Sequence, residues 1–228
     1  MSAALEAVGL SKRFGGKQAL ADVSIAVAPG EFVVVGPSGS GKTTLFRCLT
    51  RLAEPDAGEI YLGGLPMRDL RGGALAKARR DIGVVFQQFN LIRRRSALAN
   101  VLAGRLGTAP LWRVASGHFA REDIARAENA LDAVGLGAQG WQRADTLSGG
   151  EQQRVAIARA LAQESRVILA DEPVASLDPD TAVSVLTLLQ SLARSRKLAV
   201  LCTLHQPQLA ERFADRIVTM QGGRLAQG

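Results

Sequence analysis

Apolar and polar positions along this chain switch between a period of two and a period near 3.6, and the switches mark its elements. Residues 5–14 read as a strand, and Val23, Ile25 and Val27 continue at period two before Pro29-Gly30 makes a turn. Residues 31–35 are a short apolar run suited to a buried strand, and a helix follows over 42–52. Another buried strand is predicted over 82–86. From 88 to 145 the apolar positions recur at helical spacing, notably Leu98, Val101 and Leu102, then Ile124, Ala127, Leu131 and Val134. This predicts a mostly helical insert. Alternation then resumes, with a helix over 148–163, a strand over 167–171, a helix over 178–193 and a strand over 198–203. A short helix over 206–214 precedes a hairpin of residues 217–220 and 224–225 about Gly222-Gly223. Such alternation implies a layered α/β core with a parallel sheet.

Composition narrows the class. Of 228 residues, 47% are apolar and 21% charged, the balance of a soluble globular chain rather than a disordered one. The longest unbroken apolar run, residues 198–202, is far too short to span a bilayer. The start has no basic cluster and carries Glu6, so it does not read as a signal peptide. Cys48 and Cys202 are too few for a disulfide framework or a Cys-rich metal site, which favours a reducing compartment. The net charge of +7 is concentrated. Residues 61–114 hold Arg68, Arg71, Lys77, Arg79, Arg80, Arg93, Arg94, Arg95, Arg105 and Arg113 against Asp69 and Asp81 alone, leaving the rest of the chain close to neutral. A basic stretch suits nucleic acid, an anionic membrane or an acidic partner. Aromatic residues amount to 4% and no nucleic-acid module is recognisable, so no nucleic acid is expected.

Three motifs carry chemistry. Gly36-Pro37-Ser38-Gly39-Ser40-Gly41-Lys42-Thr43 fits the phosphate-binding loop G-x-x-x-x-G-K-[ST], between a predicted strand and a predicted helix. Its glycines let backbone N–H groups close around phosphate oxygens at a helix N-terminus. Lys42 would neutralise the β- and γ-phosphates, and the Thr43 hydroxyl would ligate Mg²⁺. Val167-Ile168-Leu169-Ala170-Asp171-Glu172 is a buried strand ending in two acids. Asp171 can hold the Mg²⁺, directly or through water, and Glu172 can activate the attacking water. Leu147-Ser148-Gly149-Gly150-Glu151 opens a helix, with Ser148 and Glu151 forming a capping box. Capping does not account for Gly149-Gly150, which would expose backbone N–H groups to a second anion.

Together these motifs resemble the ATP-binding cassette (ABC) ATPases over essentially the whole chain. The resemblance implies an α/β fold: a phosphate-loop parallel-sheet core with an antiparallel β subdomain and a helical insert. Residues 1–87 and 146–228 would form the core with the β subdomain, and 88–145 the helical subdomain. It implies ATP and Mg²⁺ as cofactors and a head-to-tail homodimer, each ATP lying between one phosphate loop and the partner's signature. Residues 36–44, Gly36 to Thr44, would bind nucleotide in one subunit, and Ser148, Gly149, Gly150 and Glu151 in the other. Ser176-Leu177-Asp178 would cross the interface. By the same resemblance Gln87 senses Mg²⁺ and the attacking water, His205 is the γ-phosphate switch, and Phe14 stacks on adenine.

The span from Lys42 to Ser148 leaves room for a small helical subdomain but no long coiled coil, which points to transport rather than chromosome organisation. The segments 86–92, 100–113 and 169–179, with Thr203-Leu204-His205-Gln206, are similar to the ATPase subunit of bacterial phosphonate importers. That implies integral-membrane permease partners, a solute-binding protein acting indirectly, and a peripheral place on the cytoplasmic face of the bacterial plasma membrane. Phosphite and polar amino-acid importers are the alternatives. Arg79, Arg80 and Arg93–Arg95 would then face anionic headgroups or acidic permease loops. The chain ends soon after the terminal hairpin, so no added regulatory domain is expected. One departure stands out: Gly30-Glu31 is followed by four residues, rather than five, before Gly36. The Pro29-Gly30 turn is expected to absorb the difference.

Overall fold

The computed structural model describes residues 3–36, 41–108 and 118–226. Strand β1 (Leu5–Phe14) pairs antiparallel with β2 (Lys17–Val27) on one edge and with β4 (Ala57–Leu62) on the other. A Gly63-Gly64 turn carries β4 into the short β5 (Leu65–Pro66), completing a four-stranded antiparallel sheet. The second sheet contains β3 (Phe32–Gly36), β6 (Ile82–Phe86), β7 (Val167–Asp171), β8 (Ala199–Thr203), β9 (Arg216–Gln221) and β10 (Arg224–Ala226). Its order is β10-β9-β3-β8-β7-β6, parallel throughout except for the β9–β10 hairpin.

Period-two alternation sends the side chains of the parallel strands into two cores. Phe32, Val34, Ile168, Ala170, Val200 and Cys202 pack on one side with α3 (Ala97–Leu102), α4 (Arg121–Ala133), α5 (Gly149–Ala162) and α6 (Pro179–Arg196). Val33, Val35, Val167, Leu169, Ala199 and Leu201 pack on the other with α1 (Lys42–Leu49) and the antiparallel sheet. With both faces buried, these strands read as continuous apolar runs, as parallel strands between two layers must. The short spacing before Gly36 leaves that alternation intact: Phe32 and Val34 face one core, Val33 and Val35 the other. The turn is closed by Gly30 at φ +86° and by the Glu31 N–H donating to the Ala28 carbonyl at 3.1 Å.

Three features depart from the pattern-based expectations. The strand β4 and the helix α2 (Gly72–Arg80) carry too little apolar periodicity to be seen, because Gly58 interrupts the first and Gly72-Gly73 open the second. A Cβ at Gly58 would lie 2.5 Å from the Gly9 carbonyl oxygen, so the glycine is required by the close approach of β1. Helix α1 stops at Leu49 rather than continuing to residue 52. There Arg51 adopts φ +54°, and the Arg79 guanidinium takes the carbonyls of Thr50 (2.9 Å) and Arg51 (2.6 Å). The insert also holds less helix than its periodicity suggests among the described residues, with α3 only six residues long. The segment 109–117, which includes the last five residues of the expected 100–113 stretch, lies outside the described residues.

The basic surplus is partly taken up by bonds within the molecule, which corrects the expected role of Arg79. Arg79 caps α1 from α2, and Arg80 donates to the Gly107 carbonyl at 2.7 Å. Arg105 is buried, paired with Asp123 (2.9 Å) and Glu164 (2.8 Å), and donates to the Ala162 carbonyl. Arg93–Arg95 do lie exposed, beside exposed Ile92. Replacing Arg105 by Leu would strand the Asp123 carboxylate, itself largely buried, and a backbone acceptor. We expect Arg105→Leu to destabilise the protein by about 3 kcal/mol in denaturant unfolding, with an unchanged m-value.

Candidate active site

One register row crosses the parallel sheet at its C-terminal edge. Phe86 of β6 pairs with Asp171 of β7, Asp171 with Thr203 of β8, and Thr203 with Val35 of β3. The residues just beyond that row are Gln87, Glu172, Leu204-His205 and Gly36, so chemistry separated by more than 160 positions in sequence emerges at one edge. Ligands of open α/β sheets bind at this edge because the loops there are not committed to the ladder.

The phosphate-loop candidates frame this edge. Gly36 ends β3, and Gly41 is the N-cap of α1 at φ +108°, where a Cβ would lie 2.4 Å from the Ala19 carbonyl oxygen. Glycine is the residue that fits such a position. Pro37, Ser38, Gly39 and Ser40 lie outside the described residues. Lys42 is 5% exposed, and its Nζ has no hydrogen-bond partner among the described residues. Burial pulls its pKa down, opposed by the charges of Glu172 and Asp171. A buried ammonium without partners is an unsatisfied donor of three bonds, and an anion is the ligand that completes it. Thr43 and Thr44 follow on the first turn of α1, Thr43 exposed.

Asp171 and Glu172 leave β7 in different directions. Glu172 sits at φ +48°, and its Oε1 is in close contact with the Nε2 of His205. The Glu172 N–H donates to the Thr203 hydroxyl at 2.8 Å, and that hydroxyl donates to Asp171 Oδ1 at 3.0 Å. Thr203, fully buried, is a site residue that motif reading passed over, since a threonine ending an apolar strand carries no signal of its own. Thr43 and Asp171 line the same small apolar cavity with Phe46, Val84 and Phe86. The donor set fits Mg²⁺: a hydroxyl and a carboxylate are hard oxygen ligands, and Gln87 adds an amide on the neighbouring strand's end. Among the described residues no group of three or more His, Cys, Asp or Glu gathers to hold a metal.

At the start of α5, Ser148 Oγ accepts from the Glu151 N–H at 3.3 Å, and the Glu151 carboxylate accepts from the Ser148 N–H at 2.8 Å. The capping box is therefore present. Gly150 has a packing reason that the sequence did not disclose: a Cβ there would lie 2.3 Å from Thr181 Cγ2 on α6. Gly149 is looser, its Cβ position 3.2 Å from Leu177 Cδ2. Asp178 caps α6 by accepting from the Thr181 N–H at 3.0 Å, and the Thr181 side chain together with that N–H holds its carboxyl below the usual range. Phe14 is 46% exposed, with the Lys12 ammonium lying over one face of its ring, 5.4 Å from the centre. Gln87 is exposed at the mouth of the β6–α3 loop. That loop is held from α5: the Arg159 guanidinium takes the carbonyls of Phe89 (3.0 Å) and Asn90 (2.6 Å), both in left-handed conformation.

The family ABC transporter matches residues 20–175. A phosphonates import ATP-binding protein of Nitratidesulfovibrio vulgaris is 48% identical over 92% of this chain and 80% of its own length. The chain belongs to the ABC transporter family. A hypophosphite import ATP-binding protein of Stutzerimonas stutzeri is likewise 48% identical, over 97% of this chain and 65% of its own length. Among solved structures, a dimeric bacterial ABC transporter cassette superposes with a TM-score of 0.82 at 36% identity, covering 98% of this chain and 97% of that one. A dimeric post-hydrolysis cassette bound to ADP and inorganic phosphate gives 0.79 at 35% identity, with the same coverages. This ABC ATPase therefore has the α/β cassette architecture that its motifs imply.

Lys42→Met tests the orphaned amine. In the nucleotide-free ATPase the variant should be more stable by about 1 kcal/mol near neutral pH, because a buried donor without partners is removed. The folded-state pKa is the lowered one, so the unfolded chain holds the extra proton and wild-type stability rises with pH toward the ordinary lysine range. The advantage of Lys42→Met should accordingly shrink as pH rises, in melts at several pH values, while ATP binding by calorimetry is lost.

Proposed function

We propose that this ABC ATPase is the ATP-hydrolysing subunit of a bacterial phosphonate importer, coupling dimer closure on two ATP molecules to a separate permease. The observation that carries the reading is the gathering of Asp171, Glu172 and His205 at the end of the β7–β8 pair, with a buried Lys42 that has no partner among the described residues, in a chain 48% identical to a phosphonates import ATP-binding protein. The homodimer is supported by the dimeric cassettes it superposes on, and by Gly149-Gly150 opening the capped helix of the signature motif. The family also supports permease subunits, a solute-binding protein acting indirectly, and a peripheral place on the cytoplasmic membrane face. Among the described residues, no helix is long and apolar enough to cross a membrane.

In this reading the work of the chain is positioning and charge neutralisation. Residues 36–44 wrap the phosphates, Lys42 neutralises the β- and γ-phosphates, and Phe14 stacks on adenine. Ser148, Gly149, Gly150 and Glu151 of the partner subunit complete the γ-phosphate site. Thr43, Gln87 and Asp171 would hold Mg²⁺, which supplies further neutralisation of phosphate charge when bound. Glu172 takes the proton of the attacking water, and His205 orients its carboxylate.

Glu172→Gln should bind ATP with affinity within about threefold of wild type, accumulate as a dimer on size exclusion with ATP, and lose about 10³-fold in kcat. Wild-type turnover in that variant would refute the base assignment. Substrate is decided with the permease reconstituted in proteoliposomes with its binding protein. ATPase stimulation by alkylphosphonates over hypophosphite, phosphite and polar amino acids is expected. Stimulation by hypophosphite alone would favour the second reading, which rests on the hypophosphite relative.

A further inference from the structure

Thr203 is the fully buried residue at the end of β8, and its hydroxyl has one proton and two lone pairs to place. The proton goes to Asp171 Oδ1 at 3.0 Å, and a lone pair accepts the Glu172 N–H at 2.8 Å. Among the described residues no other side chain bridges the Asp171 carboxylate and the Glu172 N–H. We propose that Thr203 is a positioning residue for hydrolysis, its hydroxyl locking the Asp171 carboxylate and the Glu172 backbone into one unit.

The geometry explains why both bonds are needed. Glu172 occupies the left-handed region at φ +48°, a conformation that a non-glycine residue keeps only when its surroundings hold it. The Thr203 hydroxyl supplies that hold at the amide, and His205, two residues further along the same strand's exit, supplies it at the carboxylate. The bond to Oδ1 fixes the Asp171 rotamer and leaves Oδ2 as the oxygen for a cation shared with phosphate. The register of β7 and β8 pairs Asp171 with Thr203 directly, so the hydroxyl needs no loop motion to reach both. An apolar residue of the same shape would keep the ladder and the core but leave the Glu172 N–H without an acceptor.

The proposal rests on reading Asp171 and Glu172 as the hydrolytic pair, and the experiment separates the two. In the full-length ATPase, Thr203→Val is compared with Thr203→Ser, which keeps the hydroxyl, and with Thr203→Ala, which avoids setting a methyl against the carboxylate. We expect Thr203→Val and Thr203→Ala to lower kcat by about 30-fold with KM for ATP within about threefold, and Thr203→Ser to restore kcat to within about threefold. A second readout is Mn²⁺ binding, followed by electron paramagnetic resonance, in the presence of a non-hydrolysable ATP analogue. It should weaken by about tenfold in Val and Ala and not in Ser, whereas nucleotide affinity without metal stays unchanged. Wild-type kcat and Mn²⁺ affinity in Thr203→Val or Thr203→Ala, or failure of Ser to restore them, would overturn the proposal. If Glu172→Gln in parallel retains turnover, the hydrolytic-pair reading has failed instead; if it is inactive while Thr203→Val is normal, only the role of Thr203 has.

Discussion

The parallel pairing of β6, β7, β8 and β3 sets everything at the candidate site, because their registers coincide in one row. Phe86, Asp171, Thr203 and Val35 lie abreast, and each strand delivers its next residues to the same edge. Slipping one strand by a single residue would exchange its two faces and drive one core's side chains into the other. The apolar split between Phe32 and Val34 on one side and Val33 and Val35 on the other is thus what keeps Val35 level with Asp171. Packing on both faces and alignment of the chemistry are one constraint, not two.

The polar economy of the fold runs through arginine. Arg79 closes the C-terminus of α1, Arg105 bridges Asp123, Glu164 and a backbone carbonyl, and Arg159 holds the left-handed Phe89 and Asn90 beside Gln87. A guanidinium suits these places because its planar fork satisfies two acceptors at once while its stem fills apolar space. A good part of the basic surplus is consumed inside the molecule, and Arg93–Arg95 are the clustered part of it left at the surface. Arg159 also links the helix carrying Ser148 to the loop carrying Gln87, so the two ends of the expected nucleotide cycle share one rigid element.

Lys42 shows the opposite use of a buried charge. Its amine has no partner among the described residues, a cost that suits a site for an anion. Close by, Glu172 is held in a strained backbone region by Thr203 and His205. Strain and an orphaned donor gathered at one sheet edge are what a site for phosphate chemistry requires, and they are absent from motifs viewed as strings.

Much of this was legible in the residues alone. The phosphate loop, the acid pair after β7 and the capping box at Ser148 are local patterns whose spacing follows from one helix start or one strand, so the chain states them directly. The parallel strands were legible too, because burial on both faces writes continuous apolar runs. Other features depend on partners far away in sequence. Strand β4 is stabilised by β1 and its Gly58 by contact with Gly9, while Gly150 is demanded by Thr181. The lengths of α1 and the fate of Arg79 were decided by each other. Thr203 becomes a site residue only because β8 lies beside β7. Local chemistry is encoded within a few positions of the chain, whereas register, close approach and the burial of charge are pairwise properties that exist once the strands and helices have met.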